Sequence, residues 1–235
     1  MGFDVQALMP VLFFLLVAGV IGAMVLSVVA TRKRRRLLQE WAARHGWNYA
    51  DRDTGLTRGL SGGPFGRGHS RNANEIVSGG YSGQHAASFR YTYKVTTGSG
   101  KNRRTSTYHH HVVSIVLPVP LPTMELRPEN LGRRIFNWGD VDFEHAAFND
   151  AWHVTGEHPK TLSDVIHPRT MERLMHPDLQ GKNLLIEDGR IFWWRSGSTD
   201  LDAIDAALRT LTELVALVPG FVWDDARARH RPLPG

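Results

Sequence analysis

The chain of 235 residues contains no cysteine, which removes a disulfide framework, a cysteine-ligated zinc site and thiol catalysis together. The same absence fits a reducing compartment. Catalytic signatures are equally scarce. There is no H-E-x-x-H and no G-x-S-x-G, since Gly68-His69-Ser70-Arg71-Asn72 ends on the wrong residue. Gly66-Arg67-Gly68 begins like a dinucleotide loop, but the third glycine falls on Arg71. Gly98-Ser99-Gly100-Lys101 resembles part of a phosphate loop, yet Asn102 follows the lysine where that loop needs Ser or Thr. A basic surplus is also missing once its source is located. The net charge is +5, and Arg32, Lys33, Arg34, Arg35 and Arg36 supply five positive charges in one run. The neutral remainder argues against nucleic acid as a partner, because a domain that grips phosphates keeps a basic excess of its own.

Charge is absent altogether from Ala7 to Ala30, a stretch made up, apart from Pro10 and Ser27, of Leu, Val, Phe, Ile, Met, Ala and Gly. At ~1.5 Å rise per residue it spans a hydrocarbon core of ~30 Å. A secretory signal peptide is the competing reading, but that needs a basic segment before a shorter apolar one. Here only Asp4 is charged before the apolar run, and the basic run follows it. Lys and Arg beside a membrane helix are retained on the cytoplasmic side. The expected topology is therefore residues 1–6 outside, a membrane helix over 7–30, and everything from 31 onward inside. Arg32 to Arg36 lie where anionic headgroups are and are assigned to them. Ala18 with Gly22 and Gly19 with Ala23 supply small residues at four-residue spacing, a face on which two such helices can form a homodimer through Gly19, Gly22 and Ala23.

Beyond the basic run, Leu37, Leu38, Trp41 and Ala42 recur at helical spacing with Gly46 as the stop. That places a juxtamembrane amphipathic segment over 31–53, its stripe turned to the domain. A domain over 54–224 and a polar tail over 225–235 complete the division. Thr54 to Asn74 reads as irregular connection or short strand. Phe89, Tyr91, Tyr93 and Val95 alternate with Arg90, Thr92 and Lys94, which predicts a strand with one aromatic, buried face. Glu75–Tyr81 pairs with it through Ser82-Gly83. Tyr108–Leu117 is the next strand, and the polar loop 96–107 between them is a solvated hairpin tip, with acidic headgroups or an acidic partner as its alternative contact. Short strands are expected at Met124–Glu129, Asp140–Glu144 and Asn149–Val154. A helix starts at Pro168, and Asp188-Gly189 marks a tight hairpin between 183 and 195. The last helix covers Asp200 to Val218 behind a start signal at Thr199 and Asp202.

Three constellations carry chemical possibilities. His109 and His111 share one face of a strand and can hold a metal ion if the fold brings a third ligand. Asp140, Asp142 and Glu144 can act as a carboxylate row in a hydrolase, or simply as the wet side of an edge strand. Trp193 and Trp194 point to opposite faces of their strand, so one is core and the other is a candidate partner contact. No cofactor is called for.

The order Pro64-Phe65-Gly66-Arg67-Gly68, Phe89-Arg90-Tyr91-Thr92-Tyr93, Leu117-Pro118-Val119-Pro120-Leu121-Pro122, His167-Pro168-Arg169 and Pro219-Gly220-Phe221-Val222-Trp223 resembles a family of single-pass membrane proteins common in actinobacteria. From Phe148 through the last hairpin the chain is also similar to bacterial domains of the DUF3137 type. The resemblance implies topology and localisation, with no activity attached to any position. The sequence thus predicts an α+β domain, mainly antiparallel, behind one N-terminal transmembrane helix. The expected function is a non-enzymatic binding or scaffold module with the lipid bilayer and a membrane protein as partners; the alternative is a membrane-bound metal- or carboxylate-dependent hydrolase.

Overall fold

The computed structural model describes residues 5–129 and 146–230. A single helix, α1 (Val5–His45), runs from the apolar segment through the basic run to His45 without a break. The expected amphipathic helix is its last part. Gly46, at φ +66°, ends it: the Gly46 and Trp47 N–H groups donate back to the Ala43 and Ala42 carbonyls at 3.3 and 2.8 Å, as a left-handed cap requires.

Eight strands then form one sheet: β1 (Asn48–Asp53), β2 (His69–Tyr81), β3 (Gln84–Thr97), β4 (Arg104–Val116), β5 (Met124–Pro128), β6 (Trp152–Gly156), β7 (Asn183–Glu187) and β8 (Arg190–Ser196). Their spatial order is β1-β2-β3-β4-β8-β7-β5-β6, and every neighbouring pair is antiparallel. Ser82-Gly83 and Asp188-Gly189 close the β2–β3 and β7–β8 hairpins with both residues at positive φ, the backbone a two-residue turn demands. The helices α2 (Ala146–Ala151), α3 (Pro159–Val165), α4 (Pro168–Leu174), α5 (Asp202–Leu217) and α6 (Gly220–Arg229) complete the described residues.

Both faces of the sheet are covered over part of its length. On one face the stripe Ile204, Leu208, Leu211 and Val215 of α5 joins Leu38, Trp41 and Ala42 of α1 in a common core. On the other, no helix among the described residues lies over the sheet. The glycine-rich connection 54–68 crosses it instead, burying Leu60 and Phe65 against Phe89, Tyr91 and Phe192. The carboxylate of Glu187 fixes this connection by accepting from the Ser61 and Gly62 N–H groups and the Ser61 hydroxyl at 2.9–3.3 Å.

Several expectations are corrected. Residues 149–151 are helical and the strand starts at Trp152. Of the segment read as connection or short strand, His69 to Asn74 is strand, the first half of β2, and Asn48–Asp53 is the sheet's edge strand. The helix expected from Asp200, α5, is capped at Leu201, with the Asp202 N–H donating to the Asp200 carboxylate at 3.1 Å and no cap from Thr199. Residues 225–229 belong to α6, whose Val222 and Ala226 are buried. The carboxylate row Asp140, Asp142 and Glu144 lies outside the described residues.

α1 and the sheet meet through a close aromatic contact. The Trp47 indole packs edge-on against Trp41, donates to the Gly80 carbonyl at 3.2 Å, and covers Gly79 so tightly that an added Cβ would lie 2.4 Å from the ring. Replacing Gly79 by Ala is expected to displace Trp47 and lower stability by about 1–3 kcal/mol. Thermal unfolding of the full chain in detergent, followed by tryptophan fluorescence, measures this.

Candidate functional site at the junction of helix and sheet

Arg34 stands four residues before Leu38 and seven before Trp41, so it occupies the same helical stripe and is turned toward the domain. There its Nε lies 3.3 Å from Glu75 Oε2, and its Nη2 donates to the Thr199 carbonyl at 3.2 Å. Arg90 of β3 approaches the other Glu75 oxygen at 3.0 Å. One carboxylate, its side chain 10% exposed, thereby bridges two guanidiniums from different elements. Glu75 sits at φ +54° where the β2–β3 register shifts. The bulge re-aims its side chain, at a backbone cost of about 1–3 kcal/mol. Alongside, Arg35 pairs with Asp51 of β1, and Arg36 pairs with Glu40 one turn on at 2.7 Å. Arg32 and Lys33 remain exposed. The basic run assigned to headgroups is thus divided: Arg34 is withdrawn into the protein.

Next to this clamp lies the histidine run of β4. His111 is fully buried. Its Nδ1 accepts the Asp200 N–H at 3.4 Å and its Nε2 stands 2.9 Å from Ser88 Oγ. With Nδ1 accepting, the ring proton is on Nε2 and is donated to Ser88. Burial, followed by the charge of Arg195, depresses the His111 pKa to about 3. His110, on the opposite face beside Tyr93, is pushed down to about 4 by burial, with Arg67 and His109 adding to the effect. His109 is lowered by burial first and then by Arg90 and Arg34, with Glu75 opposing.

This geometry answers the metal reading and a second one that the fold itself raises. His109 and His111 share a face, but both nitrogens of His111 are engaged, and among the described residues no three His, Asp or Glu side chains gather as a metal site. Ser88 and His111 superficially match a nucleophile and base. Yet His111 presents a proton to Ser88 rather than a lone pair, both residues are fully buried, and the Asp200 carboxylate is held by Arg195 at 2.7 Å. A hydrolytic base needs the opposite tautomer and access for substrate.

Trp193 and Trp194 are both buried, at 4% and 5% exposure. Trp193 packs edge-on to His111 on the helical face, and Trp194 is roofed by Gly63 of the connection. The partner-contact expectation therefore fails, because the glycine-rich segment covers the face that was to be open. Gly19, Gly22 and Ala23 lie on the exposed length of α1, with open space around the two glycines. The apolar cavity between β5, β7, β8 and helices α3–α5, lined by Leu126, Val165, Leu174, Ile186 and Leu214, has about 30 Å³ of free space, room for a water-sized guest and not for a cofactor.

No family model matches the chain, and no curated protein matches it in sequence. Its fold is similar to the crystal structure of the mycobacterial trehalose monomycolate transport factor A, TtfA, with a TM-score of 0.55 at 14% identity. The likeness covers 87% of this chain and 99% of that one. It bears on the fold: an α+β domain with an N-terminal apolar helix and an eight-stranded antiparallel sheet.

Two outcomes follow from the junction. Glu75→Gln leaves Arg34 and Arg90 facing each other without a counter-charge. Removing one member of a buried pair costs about 3–5 kcal/mol, and the partial exposure of both arginines reduces the expected loss to about 2 kcal/mol. Thermal unfolding of the detergent-solubilised chain reads it. His111 generates a pH dependence. Below its ordinary pKa of 6.5 the unfolded chain binds a proton that the folded protein refuses until about pH 3. Its contribution is complete above 6.5 and is lost as pH falls, by about 1.4 kcal/mol per unit. The variant H111Q, less stable at pH 7, is expected to show a correspondingly shallower loss between pH 6.5 and 4 in denaturant titrations.

Proposed function

We propose that the chain is a single-pass membrane protein whose domain lies on the cytoplasmic side and acts as a non-enzymatic binding or scaffold module for a partner in the same membrane. The observation that carries the reading is the continuity of α1, which enters the core as the same rigid rod that presents Leu16, Val20, Met24 and Leu26 uncovered at 61–71% exposure at its other end. That leaves the domain at a fixed distance and angle from the bilayer, which suits a part that positions others. The fold likeness to TtfA, a transport factor, is compatible with an accessory part at a membrane. The flanking arginines support the inward orientation of the domain, and the resemblance to actinobacterial single-pass membrane proteins points the same way.

The test has two arms. Protease added outside intact cells is expected to leave the domain whole, and digestion of the domain overturns the orientation. Proximity labelling from a fusion at the C-terminus is expected to mark the same membrane neighbour in repeated preparations; a label spread evenly over membrane proteins overturns the scaffold reading.

A further inference from the structure

The charge of the domain is divided along the chain. Residues 48–109 hold nine Lys and Arg against three Asp and Glu, whereas residues 110–235 hold thirteen against eighteen. The neutral remainder is therefore an average of a basic and an acidic part. Two of the three acids in the basic part, Asp51 and Glu75, are already engaged by Arg35, Arg34 and Arg90.

The fold aims that basic part at the bilayer. Arg34 meets Glu75, and Trp47 beyond the helix end meets Gly79 and Gly80. Helix α1 and strand β2 therefore advance side by side in the same direction. What precedes Arg34 is the apolar rod. What precedes Glu75 is the start of β2, where His69 pairs with Lys94, and beyond it the tip of the β3–β4 hairpin. From Arg90 to Thr97 the strand extends ~23 Å, whereas Ala30 lies only ~6 Å along the helix from Arg34. The tip thus reaches the level at which the hydrocarbon begins. Val28 and Val29 remain 43% and 56% exposed, so the hairpin diverges from the rod and stands over the membrane surface beside it.

At that tip Lys94, Lys101, Arg103 and Arg104 are exposed, and among the described residues none of them pairs with a carboxylate. Tyr108, stacked on Tyr93 at 5.2 Å, is 46% exposed on the same hairpin. Aromatic rings of this kind favour the headgroup region, and clustered basic side chains are drawn to anionic lipid. We infer that the β3–β4 hairpin tip is a second membrane contact, seating the domain on anionic phospholipid headgroups through Lys94, Lys101, Arg103, Arg104 and Tyr108. The inference rests on α1 spanning the bilayer, as proposed above.

The absence of cysteine makes a direct test simple, since one introduced thiol labels one site. The full chain with S99C, carrying a fluorophore, is reconstituted in nanodiscs with nitroxide-headgroup lipid, in either phosphatidylcholine alone or phosphatidylcholine with phosphatidylglycerol. Quenching at residue 99 is expected to be at least about twofold stronger in the anionic discs. It should fall to the neutral level in K101E/R103E/R104E or at high salt, while the melting temperature of that variant stays unchanged. Equal quenching in both lipids, or none, overturns the inference. So does a tip label that responds to a single-stranded RNA oligonucleotide and not to anionic lipid. A parallel L26C label separates the two readings. If acyl-chain nitroxide quenches it while residue 99 is silent, the rod spans the membrane and only the seating is wrong; if it is not quenched, both fall.

Discussion

A single helix here changes from apolar on every side to apolar along one stripe, and the rest of the molecule is arranged around the place where the change occurs. Its first part is apolar on every side, as a membrane span would require; its last part is apolar only along the stripe of Leu38, Trp41 and Ala42. At the crossover the stripe position is Arg34. A guanidinium aimed into a domain loses hydration that water would supply, and it is tolerated because the Glu75 carboxylate and the Thr199 carbonyl replace that hydration. Glu75 in turn is positioned by a β-bulge with strained backbone, and Arg90 completes its neutralisation. Such a network adds little net stability over an apolar contact of the same shape. What it specifies is register: only one rotation and one height of α1 bring Arg34 to Glu75 and Arg35 to Asp51 together.

The sheet follows from the same arrangement. Near the Trp47 end of β2 and β3, both faces are covered, so Ala86, Ala87, Ser88 and Phe89 are all buried in succession. Toward the hairpin tip α1 no longer covers the strands, and the pattern returns to alternation: Tyr91 and Tyr93 in, Thr92 half-buried, Lys94 out. The histidine run straddles this boundary. His111 falls under the helices and becomes a neutral core residue tied to Ser88 and Asp200, whereas His109 emerges beside Arg90. Identical side chains two residues apart therefore differ in solvation because of where the helical layer ends.

Much of this was legible in the sequence where the physics is local. The aromatic alternation of Phe89 to Val95, the Ser82-Gly83 and Asp188-Gly189 turns, Pro168 at a helix start and the stripe from Ile204 to Val215 each announce themselves within a few residues. Long-range covering is what escaped. Asn48–Asp53 and His69–Asn74 are polar because they form an edge and a wet strand end, and such segments look like connections. Trp194 is hidden by Gly63, whose lack of a side chain lets the backbone press onto the ring but leaves no hydrophobic signal. Arg34 was marked by its phase with Leu38 and Trp41; its membership in a run of five basic residues concealed that phase. Net charge concealed the electrostatic division in the same way, by averaging a basic half-sheet with an acidic remainder.

A flexible tether confines a domain near a membrane and raises its effective concentration there, while leaving every orientation open. The construction of this chain goes further. No glycine, proline or loop separates the apolar stretch from the core-facing stripe, so bending is resisted by a full ladder of backbone hydrogen bonds as well as by the Arg34 and Trp47 contacts. Rotation of the apolar rod is carried into the sheet, and, with the rod spanning a bilayer as proposed, any force on the sheet is carried into the membrane. A soluble ligand-binding domain gains nothing from that stiffness. A part that must present one particular face to a neighbour in the same membrane gains the ordering entropy it would otherwise lose at each encounter, which is the physical argument for reading this molecule as a positioning element.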